Sequence, residues 1–151
     1  MPKEPSDPKV RAVRLLARRE HSVRELKRKL ATRGISADDA DKAVEELNKA
    51  GWQSDDRYAE MLVRSRINQG YGPRRIEAEL EQAGVDGDKI REALDKAGAD
   101  WTSLAVEAHA RHFAALPKTS ADRAKQYRYL AGRGFESSQI GAALKGLPAD
   151  E

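Results

Sequence analysis

Apolar positions recur along this chain at helical spacing, and the recurrence itself repeats. Leu30/Gly34/Ile35, Leu80/Gly84/Val85 and Leu130/Gly134/Phe135 stand 50 residues apart, and the columns Ala40/Ile90/Ile140, Ala43/Ala93/Ala143 and Val44/Leu94/Leu144 keep the same register. Self-similarity at such a period marks stacked units, each too small to bury its own apolar face. The pattern therefore predicts an all-α fold of three tandem three-helix repeats, forming an elongated, curved array with an extended binding surface.

The spacing predicts nine helices. After a tail rich in proline and charge over residues 1–8, Val10, Val13, Leu16 and Ala17 mark a first helix over about residues 9–20. Ser22 and Glu25 form a capping-box pair ahead of Leu26 and Leu30, each side chain accepting from the other's backbone N–H. Gly34 supplies the left-handed residue that ends this second helix, and Ile35 packs back against it. Ser36 caps a third helix with Ala40, Ala43, Val44 and Leu47, closed by Gly51.

In the second unit, Asp55 or Asp56 caps a helix holding Tyr58, Met61, Leu62 and Ile67, with Tyr58 expected in the core. Gly70-Tyr71-Gly72-Pro73 replaces the short His21-Ser22 turn, with the glycines at left-handed positions and Pro73 in the first turn of the next helix. That helix carries Ile76 and Leu80, and the following one, capped by Asp86 or Asp88, carries Ile90, Ala93 and Leu94. The third unit opens near Asp100 with Leu104, Ala105, Ala108 and Phe113. Ser120 then caps a helix with Ala124, Tyr127 and Leu130, and Ser137 or Ser138 caps a last short one. The units are taken as 9–53, 54–98 and 99–147, with a tail at 148–151. The joints at 51–54 and 97–100 are expected pivots or exchange points, leaving a monomer or a module-exchanged dimer open.

Composition narrows the chemistry. Cysteine is absent, which excludes disulfide scaffolds, thiolate metal sites and cysteine nucleophiles and agrees with a reducing compartment. No stretch approaches the roughly 18 apolar residues of a membrane span, and residues 1–9 lack the apolar core of a signal peptide. A cytoplasmic protein without membrane contact is expected. The net charge of +3 conceals a polarity that follows the repeat. Residues 9–33 hold ten basic side chains against two acidic, 57–75 five against one, and 111–133 six against one. The intervening stretches invert this, with seven acidic against two basic over 34–56 and eight against three over 76–100. Equivalent helices on equivalent faces would sum such alternation into stripes, the basic one suited to a polyanion or an acidic protein. Glu77, Glu79 and Glu81 oppose Arg74 and Arg75 on one helix, which interrupts a continuous basic track.

Catalytic and metal readings find little support. His109 and His112 form an i,i+3 pair without cysteine or carboxylate at an obvious third position, so they read as structural or surface residues. The serines read as helix caps, and Gly70-Tyr71-Gly72 lacks the preceding strand and the Lys-Ser/Thr of a phosphate-binding loop. No enzyme activity, cofactor or metal is expected. Tyr71, followed by Arg74 and Arg75 at a helix N-terminus, reads either as a turn residue or as a contact to nucleic acid or protein.

At the second unit the residues become specific: Asp55-Asp56-Arg57-Tyr58-Ala59, Arg64-Ser65-Arg66, Gly70-Tyr71-Gly72-Pro73, Ile76, Glu79-Leu80 and Gly84-Val85. Together with Ala12, Leu15, Leu16, Arg19, Ser22, Glu25-Leu26 and Leu30 before them and Leu130, Arg133-Gly134-Phe135 and Ile140 after, this resembles the RecX family of bacterial recombination regulators. The resemblance implies a non-enzymatic regulator that binds the RecA filament on DNA along its helical groove and inhibits ATPase, strand exchange and coprotease activity. Weak, non-specific DNA binding is expected beside it. Arg24, Lys27, Arg28, Arg64, Arg66, Tyr71, Arg74 and Arg75 are the candidate contact residues, acting by electrostatic positioning. The alternative is a helix-turn-helix-like DNA-binding protein acting without a RecA partner, with Thr32, Arg33 and the Arg24 to Lys29 face reading the duplex. The third unit departs from the others at an Ala114 to Ser120 interruption and at Gln126, which stands where Leu26 and Ile76 stand.

Overall fold

The computed structural model describes residues 7–145. The expected tails, apart from residues 7 and 8, and the end of the third unit lie outside the described residues. Within them the chain forms nine helices and no strand: α1 (Pro8–Arg18), α2 (Val23–Thr32), α3 (Ala37–Lys49), α4 (Asp55–Asn68), α5 (Pro73–Gln82), α6 (Gly87–Ala97), α7 (Trp101–His112), α8 (Ser120–Gly132) and α9 (Ser137–Lys145). In every unit the first and third helices pack most closely, and the middle helix lies against them.

The repeat columns are the fold's punctuation. Leu30, Leu80 and Leu130 are fully buried, and the glycine four residues on adopts φ of 82°, 82° and 100° in the three units. The next residue then donates its N–H back to the leucine carbonyl at 3.2, 3.0 and 3.2 Å for Ile35, Val85 and Phe135. This is the Schellman geometry, which satisfies carbonyls a helix end would otherwise leave orphaned.

Several helix starts differ from the sequence expectation, each for a local reason. α1 begins at Pro8, one residue inside the segment read as tail, because the Asp7 carboxylate accepts the Lys9 N–H at 2.9 Å and Pro8 suits the first helical position. Ser54, not Asp55 or Asp56, caps α4 by accepting from the Arg57 N–H at 3.2 Å. Asp55 is thereby released to accept from the Val23 N–H at the start of α2, at 2.9 Å. Asp86 precedes α6 without a side-chain capping bond. Thr119, not Ser120, caps α8 through the Asp122 N–H at 3.0 Å. Ser137 and Ser138 lie inside α9, whose first turn bonds the Glu136 carbonyl to the Ile140 N–H at 2.9 Å. Phe113 leaves α7 in an extended conformation.

Gln126 explains the interrupted third unit. It is buried, its amide donates to the Ala115 carbonyl at 3.2 Å, and its carbonyl lies 2.6 Å from His109 Nε2. A leucine there would leave both partners without a bond, so the polar residue follows from the carbonyl the inserted segment turns inward.

Each unit has its own small apolar cluster, centred on Leu26, Leu30 and Leu47 in the first, Leu62, Ile76 and Leu80 in the second, and Leu130, Phe135 and Ile140 in the third. Trp101 packs against both the second and the third. The units are further joined through their middle helices. The Ser22 hydroxyl donates to the Ala83 carbonyl at 2.8 Å, setting the start of α2 on the end of α5. One unit later the Gly72 and Arg74 N–H groups donate to the Arg133 and Gly134 carbonyls at 2.8 and 2.9 Å, setting the start of α5 on the end of α8. The row thus runs α8, α5, α2, head to tail.

The joint at 51–54 is braced by side-chain hydrogen bonds. Gln53 is 1% exposed and bonds the His21 carbonyl (3.2 Å), Asp55 (2.9 Å) and Asn48 (2.8 Å). Arg57 holds the Gly51 and Trp52 carbonyls at 2.8 and 3.0 Å and Glu20 at 2.9 Å. Gly72, expected in a left-handed conformation, has φ −92°. It is glycine for space: a Cβ there would lie 2.5 Å from the Gly134 carbonyl carbon and the Phe135 nitrogen. Gly72→Ala is expected to cost about 2–3 kcal/mol in urea-induced unfolding, as overpacking against backbone does. Gly132→Ala, whose Cβ would meet nothing within 4 Å, is expected to raise stability by about 0.5 kcal/mol.

Candidate interaction surface

Three arginines of α1, at positions 11, 14 and 18, fall on one helical face by their i, i+3, i+7 spacing. α2 packs beside α1, and its last turn brings Lys29, Thr32 and Arg33 to the same side. Together with Leu15 these residues line a cleft of 490 Å³ whose walls carry five cations and no carboxylate. Three basic residues of the same unit outside the cleft hold acidic partners: Lys9 with Glu46 at 3.4 Å, Arg19 with Glu25 at 3.1 Å, Lys27 with Asp41 at 3.2 Å.

His21 underlies this cluster, 1% exposed. Its Nδ1 lies 3.0 Å from the Arg19 carbonyl and its Nε2 2.9 Å from Lys29 Nζ. A carbonyl only accepts and an ammonium only donates, so the ring is the neutral Nδ1–H tautomer. Burial, reinforced by the charges of Arg19 and Lys29, holds its pKa below the ordinary histidine value. Beside it, burial pushes the Glu25 carboxyl upward, and the Arg19 guanidinium with the Ser22 N–H outweighs burial and leaves it lowered.

The eight sequence-derived candidates separate into two groups. Five are engaged within the fold. Arg24 donates to the Gln82 carbonyl at 3.2 Å across Gly84, Lys27 pairs with Asp41, and Arg66 bonds Glu79 at 2.9 Å, which raises its pKa. Arg75 reaches the same Glu79 at 3.5 Å. Tyr71 lies between the Arg75 and Arg133 guanidinium groups, 4.0 and 3.9 Å from its ring centroid. Arg133 also donates to the Gln69 and Gly70 carbonyls, so this stack clamps the joint between the second and third units. Arg28, Arg64 and Arg74 are exposed, and no ion pair or side-chain hydrogen bond engages them among the described residues. No single pocket gathers these three.

The sequence reading places Arg18, Lys29 and Arg33 in an over-basic first hairpin without making them site candidates, and Arg133 in the family resemblance without a role. The arginine spacing on α1 is the further signal for the cleft. The role of Arg133 depends on carbonyls 63 and 64 residues away. The remaining histidines are occupied structurally, with His109 on Gln126 and His112 stacked flat on Tyr129 at 3.8 Å. Tyr58 is a core residue, 5% exposed.

Three three-helix modules joined through their middle helices, presenting a cationic cleft with no carboxylate in its lining, define a helical-repeat protein whose surface chemistry is electrostatic. Among the described residues no helix is long and apolar enough to cross a membrane. The comparisons with known proteins place these modules. Residues 9–47, 54–94 and 100–144 match, in order, the first, second and third three-helix domains of RecX, and the chain belongs to the RecX family. A "Regulatory protein RecX" of Stenotrophomonas maltophilia is 45% identical over 144 residues, covering 95% of this chain and 88% of the relative. Another, from Chromohalobacter salexigens, is 42% identical and covers 95% of both chains. The crystal structure of RecX from Lactobacillus salivarius superposes with a TM-score of 0.76 at 21% identity, over 93% of this chain and 94% of that one.

Two measurements check this geometry. Tyr71→Ala is expected to lower stability by about 1–2 kcal/mol, the range of a desolvated cation–π contact, and to speed hydrogen exchange at the Gly72 and Arg74 amides, with Tyr71→Phe retaining both. For pH, His21 binds its proton less readily folded than unfolded, so its contribution is complete above the unfolded value of about 6.5 and shrinks as pH falls through that value toward the lowered folded one. Unfolding midpoints should therefore decline on acidification in that window, and His21→Gln should flatten the decline.

Proposed function

We propose that this chain is a regulatory protein that binds the RecA recombinase filament on DNA, lying in the filament's helical groove and inhibiting its ATPase, strand-exchange and coprotease activities. One observation carries the reading: all three RecX modules match in order, with relatives named as regulatory proteins aligned over 95% of the chain. The architecture supports it. Middle helices joined end to end set three similar modules in a row, and a surface of that kind suits a target that itself repeats.

Arg28, Arg64 and Arg74 are the side chains free to meet such a target, since their charges are not spent inside the fold. Arg24, Tyr71 and Arg75 contribute by holding the modules in register, and Lys27 and Arg66 by pairing helices within a module. The helix-turn-helix reading is disfavoured by the joints. A recognition helix presents its N-terminal residues to base edges, whereas the first turns of α2 and α5 are set against the ends of α5 and α8.

Titration of the protein into RecA, single-stranded DNA and ATP, with hydrolysis followed continuously, tests the proposal. Hydrolysis should fall toward a plateau as the protein is added. The combined variant Arg28→Glu, Arg64→Glu, Arg74→Glu should raise the half-inhibitory concentration about tenfold or more, as reversed interface charges do, with an unchanged thermal midpoint. Unaltered hydrolysis at saturating protein overturns the function, and full inhibition by the variant overturns the residue assignment.

A further inference from the structure

The cleft between α1 and α2 is more cationic than folding requires. Five cations converge on one side of a two-helix hairpin without a carboxylate in the lining, although like charges brought together oppose the compact state. The chain has acidic residues to spare and uses them elsewhere: Lys9, Arg19 and Lys27 on the same two helices each hold one. Among the described residues, Arg14, Arg18, Lys29 and Arg33 hold none. Lys29 is steadied instead by His21 Nε2 at 2.9 Å, a neutral acceptor that positions the ammonium without cancelling its charge.

We infer that this cleft is a nucleic-acid site that takes the phosphodiester backbone. The lining decides between anions. A protein partner needs apolar pockets for its anchoring side chains, and the cleft offers one leucine, Leu15. Phosphodiester recognition needs closely set cationic donors and no base-reading surface. The row of arginines on α1 rises by about 4.5 and 6 Å between successive members, so it meets a linear series of charges. Thr32 donates its hydroxyl proton to the Lys29 carbonyl at 2.7 Å, which leaves that hydroxyl oxygen as an acceptor only and assigns the phosphate contacts to Arg14, Arg18, Lys29 and Arg33. Binding here is indifferent to sequence and steeply dependent on salt.

The inference rests on the reading that this protein acts on DNA-bound filaments, and its test omits the recombinase so that the two fail separately. Fluorescence anisotropy of a labelled oligothymidylate is measured across a salt series for the wild type and for the triple variant Arg14→Gln, Arg18→Gln, Arg33→Gln. Affinity should fall about tenfold or more at low salt, and the log–log salt slope should shrink by about 2, near 0.7 for each lost phosphate contact on a single strand. The charge-matched control Lys42→Gln, Lys49→Gln, Arg91→Gln, which alters exposed residues outside the cleft, should change affinity by less than about twofold. Arg14→Lys, Arg18→Lys, Arg33→Lys should restore most of the binding, which excludes misfolding as the cause of the loss. Equal losses in cleft and control variants overturn the inference. So does competition by polyglutamate as effective as that by unlabelled oligothymidylate, which would reassign the cleft to acidic protein, or by inorganic phosphate at equal phosphate concentration, which would reassign it to a free anion.

Discussion

The structure depends on what happens at the end of a middle helix. A Schellman turn at Gly84 or Gly134 bends the chain sharply, and the start of another middle helix settles on that turn. Carbonyls at the end of α8 accept N–H groups from the start of α5, and the Ala83 carbonyl at the end of α5 accepts the Ser22 hydroxyl that also caps α2. Donors at one helix start thus meet surplus acceptors at another helix end. Each unit has only a small apolar cluster, so these polar joints, with Trp101 spanning two clusters, are what make three marginal units one array.

The same joints sort the arginines. Arg24 lies across Gly84, Arg75 and Arg133 sandwich Tyr71, and Arg66 shares Glu79 with Arg75. Arg24, Arg75 and Arg133 are therefore committed to holding units together, and Arg66 to joining two helices of the second unit. At the outer end of the row the situation differs. Among the described residues the last turn of α2 has no further helix set upon it, and a Cβ at Gly34 would meet nothing within 4 Å, whereas at Gly84 and Gly134 it would meet Arg24 and Arg75. Arg33 and Lys29 stand at that open end, and α1 adds its arginine row beside them. Excess positive charge collects where no neighbouring unit consumes it.

Much of the fold is legible in the chain because it is written in local terms. The 50-residue columns, the Ser22–Glu25 capping box, the glycines after Leu30, Leu80 and Leu130, and Pro73 at a helix start each act over a few residues, so their meaning does not depend on distant partners. The misplaced caps show the limit of such reading. Ser54 and Asp55 are both good caps by propensity, and the choice fell to Ser54 because Asp55 has a tertiary use, the Val23 N–H, 32 residues away. Gly72 looked like a conformational glycine and proved to be a steric one, a difference visible only when Gly134 lies against it.

For the interaction surface the balance reverses. Sequence by itself determined the architecture, the family and the amount of positive charge in the first unit, because periodicity, capping and composition are properties of the chain. Only the tertiary structure decided which cations remain available, because pairing depends on whether a carboxylate or carbonyl comes within about 4 Å, a distance the fold sets and residue order does not. That is why Arg75 and Tyr71 became part of a joint, while Arg14, Arg18, Lys29 and Arg33, equally basic in the sequence, became the walls of a cleft.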